Sequence, residues 1–304
     1  MTTLRDIIRN ISRKHLKENN SLLFGQCLSA VGWVGNTVPN DVPDHIVELP
    51  TSDVMNSGIV VGSALMNKRP IYVIRYQGFN WFNSAMITNY AGKSKEMWNK
   101  HCPMFIRSIA MEKGIGPVAG STHASLYNRI PGIKIFSPMT SNEYQYVYDA
   151  FMRDNVPYYV SEHRGSYDND KELEDVELPE SDITLVPISI TRFEAEKARI
   201  ILTEQGYSVS ILHQFVLSED NNISCMFNDD FETISNSKYG ALVLDDDYSN
   251  GLAKNIAYDI MMRTNKKAHI MGLENRTAGF HKDVDVLPPT CDAIVKKVKE
   301  IMKI

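Results

Sequence analysis

The stretch His45–Tyr76, HIVELPTSDVMNSGIVVGSALMNKRPIYVIRY, decides how the rest of the chain is read. A short apolar run, His45 to Leu49, stops at Pro50. Thr51, Ser52 and Asp53 follow, and then small and aliphatic residues run to Leu65 without a proline. After Arg69 and Pro70 a second apolar run, Ile71 to Ile74, closes the unit. This spacing predicts strand, tight turn, helix, strand: one βαβ unit of a parallel sheet. Asp53 stands at the predicted helix start. Thr-Ser-Asp before a helix is good N-cap chemistry, so the carboxylate either caps the helix or does chemistry.

The same alternation continues on both sides. SLLFGQCL, PMFIRSIA, IKIFSP, YYVSEH, ITLVPIS, SVSILHQF, YGALVLDD and KAHIMGL are further strand candidates. Between several of them lie amphipathic segments such as SNEYQYVYDAFMRDN and TRFEAEKARIILTEQG. Short apolar runs alternating with helices predict an α/β fold whose largely parallel sheets are covered on both faces. Leu4, Ile7, Ile8 and Ile11 recur at helical spacing and predict a packed first helix. GSYDNDKELEDVELPESD, Gly165 to Asp182, is acidic and lacks apolar periodicity. That composition predicts a linker over 166–182 between two three-layer α/β domains, 1–165 and 183–304.

Composition narrows the function classes. Of 304 residues 43% are hydrophobic and 23% charged, and the formal net charge is −5. No basic field exists to hold nucleic acid or an anionic membrane surface. No apolar run approaches the ~20 residues of a membrane helix. Cys27, Cys102, Cys225 and Cys291 are scattered without a CxxC pair, which fits a reducing compartment, and the chain is expected to be cytoplasmic.

Several segments could carry chemistry. GIGPVAG, Gly114 to Gly120, is glycine-rich but lacks the lysine and Ser/Thr of a P-loop and the spacing of a dinucleotide fingerprint, so a plain loop is the better reading. It leads into His123, which is expected to be partly exposed and able to exchange protons near neutral pH. LDDDYSN, Leu244 to Asn250, holds three adjacent acids. Neighbours on a strand point to opposite faces, so they cannot all face one ion, and a polar strand end is expected. YQGFNWF, Tyr76 to Phe82, closes a strand and opens a helix. Aromatics there are usually core, but they can also offer a flat face to a ring-shaped ligand at the carboxyl ends of the strands.

These pieces occur in a recognisable order. VELPTSDVMNSGIVVGSALMNKRPI resembles the segment around the catalytic glutamate of the β subunits of thiamine-diphosphate-dependent 2-oxo-acid dehydrogenases, with related signatures in the pyrimidine-binding domain of transketolases. The matching positions are Pro50, Ser52, Asp53, Gly58, Gly62, Arg69 and Pro70. LLFGQCLSAVGWVG, GSTH, IPGIKIFSPMTSNE and DNVPYYVSEHR resemble further family segments. ALVLDDDYSNGLAKNIA and DVLPPTCDAIVKKVKEI resemble the carboxy-terminal transketolase domain.

The resemblance implies a split active site. The family holds the diphosphate and its Mg²⁺ on a Gly-Asp-Gly…Asn motif, and Gly-Asp-Gly does not occur in this sequence. The chain is therefore expected to grip the aminopyrimidine of thiamine diphosphate, as a homodimer within an α₂β₂ assembly whose α-type subunit supplies the Mg²⁺ site. By the same resemblance, Asp53 would hydrogen-bond the aminopyrimidine and favour its imino tautomer, which removes the thiazolium proton. Phe79 would stack on the pyrimidine, with Tyr76 beside it, and His123 would face the substrate, a 2-oxo acid or a ketose. The expected reaction cleaves or joins a C–C bond next to a carbonyl. Two departures bear on this: the family's glutamate is Asp53, shorter by one C–C bond of ~1.5 Å, and the acid at the end of an earlier strand is Gln26. The alternative is a non-catalytic partner subunit with a structural role.

Overall fold

The computed structural model describes residues 2–30, 32, 34–111, 122–219, 226, 228–273 and 288–303. Its strands are β1 (Leu23–Gly25), β2 (Ile46–Glu48), β3 (Ile71–Ile74), β4 (Phe105–Ala110), β5 (Lys134–Phe136), β6 (Tyr158–His163), β7 (Ile183–Pro187), β8 (Val209–Ile211), β9 (Val216–Ser218), β10 (Ala241–Tyr248) and β11 (Ala268–Leu273). The helices are α1 (Leu4–Glu18), α2 (Asp53–Leu65), α3 (Asn80–Met86), α4 (Ser94–Trp98), α5 (Ser141–Arg153), α6 (Thr191–Glu204), α7 (Asn228–Ser235), α8 (Leu252–Thr264) and α9 (Cys291–Met302). Among the described residues the strands form two sheets, ordered β2-β1-β3-β4-β6-β5-β9 and β11-β10-β7-β8. Every pairing is parallel except β5 with β9. The class is α/β, as the alternation predicts.

Continuous apolar runs make the central strands because both sheet faces are covered. All residues of β3, β4 and β6 are buried. On one face α1 and α5 bring Leu4, Ile8, Leu16, Val147 and Phe151 against Phe105 and Val160. Thr3 caps α1 by accepting the Asp6 N–H at 3.3 Å, and Thr140 caps α5 by accepting that of Glu143 at 3.4 Å. The other face meets α2 through Val60, Val61 and Ala64, and this cluster runs on without a break into Val186 and Val243 of the second sheet and Ile256 of α8. A third cluster, with Leu185, Ala198, Leu242, Ile294 and Val298, lies between the second sheet and α6 and α9.

The sequence reading ends a strand at Phe215 and does not foresee β9. Those three residues come after the acidic segment, yet they form the antiparallel edge of the first sheet, with Ser137 N–H donating to the Phe215 carbonyl at 2.7 Å. The acidic segment itself makes fixed contacts: Arg5 N–H donates to the Tyr167 carbonyl at 2.9 Å, and Val176 bridges to Ile211.

In open α/β sheets the loops beyond the carboxyl ends of the strands make the crevice where ligands bind. Asp53 follows β2, Tyr76 and Phe79 follow β3, and His123 follows β4, so all four lie on that edge.

Candidate functional site

Asp53 is the first residue of α2, and the N-cap position belongs to Ser52, which makes no side-chain capping bond. The Asp53 carboxylate does not cap the helix. Its Oδ1 accepts a hydrogen bond from Asn83 Nδ2 at 3.0 Å, across to α3. Asn83 also donates to the Phe79 carbonyl at 2.9 Å, and its Oδ1 accepts from the Tyr72 hydroxyl at 2.6 Å. Because Tyr72 donates to that oxygen, the amide is oriented with its NH₂ toward Asp53. Burial, then the charge of Asp53, pushes the Tyr72 phenol far above its ordinary pKa, so it stays a donor. The sequence reading missed Asn83. Its position one helical turn after Phe79 puts it on the same face, but an asparagine carries no motif of its own.

Phe79 is half-buried and packs against the first core cluster. Tyr76 lies 6.2 Å from it between ring centroids, tilted by 32°, and the Arg75 guanidinium sits 5.5 Å from the Phe79 ring and 5.6 Å from that of Tyr76. The two aromatics and a cation form one partly open platform beside the Asn83–Asp53 pair.

A second buried amide, Gln77, holds the other end of the site. Its Nε2 donates to Ser161 Oγ at 2.7 Å and to the Ser108 carbonyl at 3.2 Å. Its Oε1 accepts from the His123 backbone N–H at 2.7 Å and from the Tyr159 hydroxyl at 3.1 Å. The Trp81 ring meets the His123 ring edge-on, 5.9 Å away. Burial lowers the His123 pKa, and the charge of Asp247 partly offsets this. The histidine is partly exposed, as its place after a glycine-rich run suggests. Residues 112–121, which hold GIGPVAG, lie outside the described residues.

The three acids of LDDDYSN are not a polar strand end. Asp245, Asp246 and Asp247 are 2%, 2% and 5% exposed, because the first sheet's loops cover the end of β10. Asp246 accepts from Ser189 Oγ at 2.9 Å through its side chain and from Thr122 Oγ at 3.1 Å through its carbonyl. Asp247 accepts from Ser125 Oγ at 2.5 Å. The ladder with β11 shifts register between Leu244 and Tyr248, so the regular alternation expected for these residues is interrupted there, and the Asp247 N–H donates to Asp245 Oδ1 at 3.2 Å. Among the described residues no group of three or more acids, histidines or cysteines is arranged to hold a metal ion.

Burial raises the Asp246 carboxyl to about 7. The native state then keeps a proton that the unfolded chain releases near the ordinary value of 3.8. Stability from this group is full below that lower value and is lost as pH rises through the native one. Wild type is expected to lose thermal stability between pH 5 and pH 8 by about several degrees, and Asp246→Asn to lose less. Equal slopes in paired thermal melts would show that Asp246 is ionised at both pH values.

Comparison with known proteins accords with this geometry. Residues 2–169 match the family described as "Transketolase, pyrimidine binding domain". The β subunit of the acetoin:2,6-dichlorophenolindophenol oxidoreductase of Cupriavidus necator is 24% identical over 242 residues, covering 74% of this chain and 68% of that protein. The pyruvate dehydrogenase E1 component subunit beta-1 of Oryza sativa is 25% identical over 191 residues, 56% of this chain and only 50% of the relative. A split-gene transketolase, solved as an inactive β4 tetramer, superimposes with a TM-score of 0.73 at 14% identity over 99% of this chain and 98% of its own, which shows a shared fold. With more than half of its residues matched, the chain belongs to the transketolase pyrimidine-binding domain family.

Proposed function

We propose that this chain is the β-type half of a heteromeric thiamine-diphosphate-dependent enzyme acting on a C–C bond next to a carbonyl. The observation that carries the reading is the Asp53 carboxylate: it is turned away from capping, held at one oxygen by Asn83, and set beside the Phe79–Tyr76 platform. Asp53 remains partly exposed at the mouth of the crevice, and the described residues make no hydrogen bond to its second oxygen. These residues fit an aminopyrimidine. An aromatic face takes the ring, and a carboxylate accepts a charge-assisted hydrogen bond from a ring nitrogen. The cofactor, when bound, supplies the carbanion chemistry that no protein side chain can.

The chain's own residues have distinct tasks in this reading. Asp53 holds the proton shared with the pyrimidine. Tyr72 and Asn83 fix the direction in which Asp53 accepts. Phe79 and Tyr76 place the ring, and His123 moves protons on the substrate side. The α-type partner carries the diphosphate and Mg²⁺, and the donor is a 2-oxo acid or a related ketose. The names of the relatives, both β subunits, support that division of labour. So does an exposed apolar face beside the site, with Val54, Met55 and Ile59 on α2 and Trp81 and Phe82 on α3. On this reading two copies of the chain join two α-type subunits in a reducing cytoplasm, where Cys27, Cys102 and Cys291 stay free thiols as they are here.

Phe79→Ala tests the platform. Loss of stacking is worth about 0.5–1.5 kcal/mol beyond the buried area. The dissociation constant for thiamine diphosphate in the complex is expected to rise roughly tenfold. If calorimetry shows unchanged affinity and only a lower melting temperature, Phe79 is core and Tyr76 takes its place.

A further inference from the structure

His123 is held from two directions. The first sheet holds its backbone through Gln77, and the second sheet reaches the residues on either side of it. Thr122 Oγ donates to the Asp246 carbonyl, and Ser125 Oγ donates to the Asp247 carboxylate. Both acceptors lie at the carboxyl end of β10, more than a hundred residues further along the chain. The turn that follows closes the same space. A cavity of about 420 Å³ is lined by Trp81, His123 and Arg129 from one side and Asn250, Gly251 and Asn255 from the other. Its seam is tight: a Cβ built on Gly251 would stand 3.2 Å from Ser125 Cβ and 3.3 Å from Asp247 Oδ2.

We infer that Asp247 is a positioning residue for His123: the second domain completes the site by placing a fixed carboxylate behind the imidazole, anchored through Ser125. What His123 does to the substrate rests on the function proposed above, but the pairing of the two side chains does not. The Ser125 hydroxyl contact fixes where the charge sits. A buried carboxylate near a partly exposed imidazole favours the imidazolium, which desolvation alone would suppress. Each group records the other: the Asp247 charge raises the His123 pKa and His123 lowers that of Asp247, against burial in both cases. A histidine with an acid beside it is held closer to the range in which it can both give and take a proton than desolvation alone would leave it.

Other charges face this pair. Asp245 and Asp246 lie on the same strand end; burial raises Asp245 well above the ordinary range, and its neighbours' charges add to that. Arg129 is exposed on the cavity wall, and Gln77 accepts from both the Tyr159 hydroxyl and the His123 N–H. Trp81, Asn250 and Asn255 bring no charge. Of the three acids, Asp247 is the one whose charge acts on His123.

The test uses the full-length chain without partner or cofactor, so it stands whether or not the proposed function does. Histidine labelled with ¹³C at Cε1 is titrated by NMR, with His123 assigned from His123→Gln. In Asp247→Asn the His123 midpoint is expected to fall by about 1 pH unit, the low end of what an opposite charge in contact contributes. Asp247→Glu, which keeps the charge, is expected to restore most of it. An unchanged midpoint in a folded Asp247→Asn, or equal falls in both variants, overturns the pairing. If Asp247→Asn does not fold, the wild type decides. Coupled sites share macroscopic midpoints, so the Asp247 ¹³Cγ and His123 ¹³Cε1 shifts must show a common step. Independent titration curves would refute the inference.

Discussion

Replacing Asp53 with asparagine is expected to slow hydrogen–deuterium exchange at the thiazolium carbon of bound thiamine diphosphate by orders of magnitude, with little change in stability. Asparagine keeps the size of the side chain and can still meet Asn83, but it cannot carry the charge that holds the shared proton. Asn and Asp cap helices about equally well, so a capping role would leave both exchange and stability nearly unchanged, within a few tenths of a kcal/mol. In the structure the carboxylate accepts from Asn83 on α3 and makes no capping bond to α2. The aspartate is shorter than the family's glutamate, and a displacement near 1 Å can cost on the order of a hundredfold in rate. Asn83 answers part of that loss by fixing where the short side chain points. Asn83→Leu should therefore lower exchange as well, by less than Asp53→Asn. Equal exchange in wild type and Asp53→Asn would favour the non-catalytic reading.

The largest effect on stability is expected at Arg107. Its guanidinium is fully buried on β4 and donates to Glu162 on β6 through Nε at 2.7 Å and Nη2 at 3.0 Å. Nη2 also reaches Thr37 at 2.6 Å, while the Tyr144 and Tyr167 hydroxyls donate to Glu162 at 2.7 and 2.6 Å. One network thus ties two central strands to α5, to the loop after β1 and to the start of the acidic segment. Removing one partner leaves the other charge buried without compensation, at a cost of about 3–5 kcal/mol. Domains are stable by about 5–15 kcal/mol, so Arg107→Met is expected to unfold a large share of the molecules at 37 °C. Arg107→Met with Glu162→Leu should recover part of the loss, since apolar replacement of both charges is often neutral or better. Urea midpoints of the single and double variants measure this. A single variant within 1 kcal/mol of wild type would mean that water reaches Glu162.

Much of this molecule can be read from local pattern. The ten strand candidates and the first, second, fifth and sixth helices follow from apolar runs and their periods, because parallel strands buried on both faces leave a strong signal. Asp53 could be placed at a helix start after a strand, and Tyr76 and Phe79 at a strand's carboxyl end, because each closely follows an apolar run. What was not legible depends on contacts distant in sequence. β9 is three residues long and forms only because the edge of β5 is there to receive it. Asn83 and Gln77 matter through partners 30 and 46 residues away. The three acids of β10 read as solvated because nothing local shows that the loop of Thr122 and Ser125 will cover them.

The proposal that this chain grips one end of thiamine diphosphate and leaves the other to a partner is tested most directly by calorimetry. Thiamine diphosphate with Mg²⁺ would be titrated into the purified chain, and then into its complex with a co-purifying α-type chain that carries the Gly-Asp-Gly…Asn motif. Weak or no binding to the chain alone and tight binding to the complex, reduced by Phe79→Ala, is the expected result. Tight binding to the chain alone, or a stable complex that binds no cofactor, would contradict it.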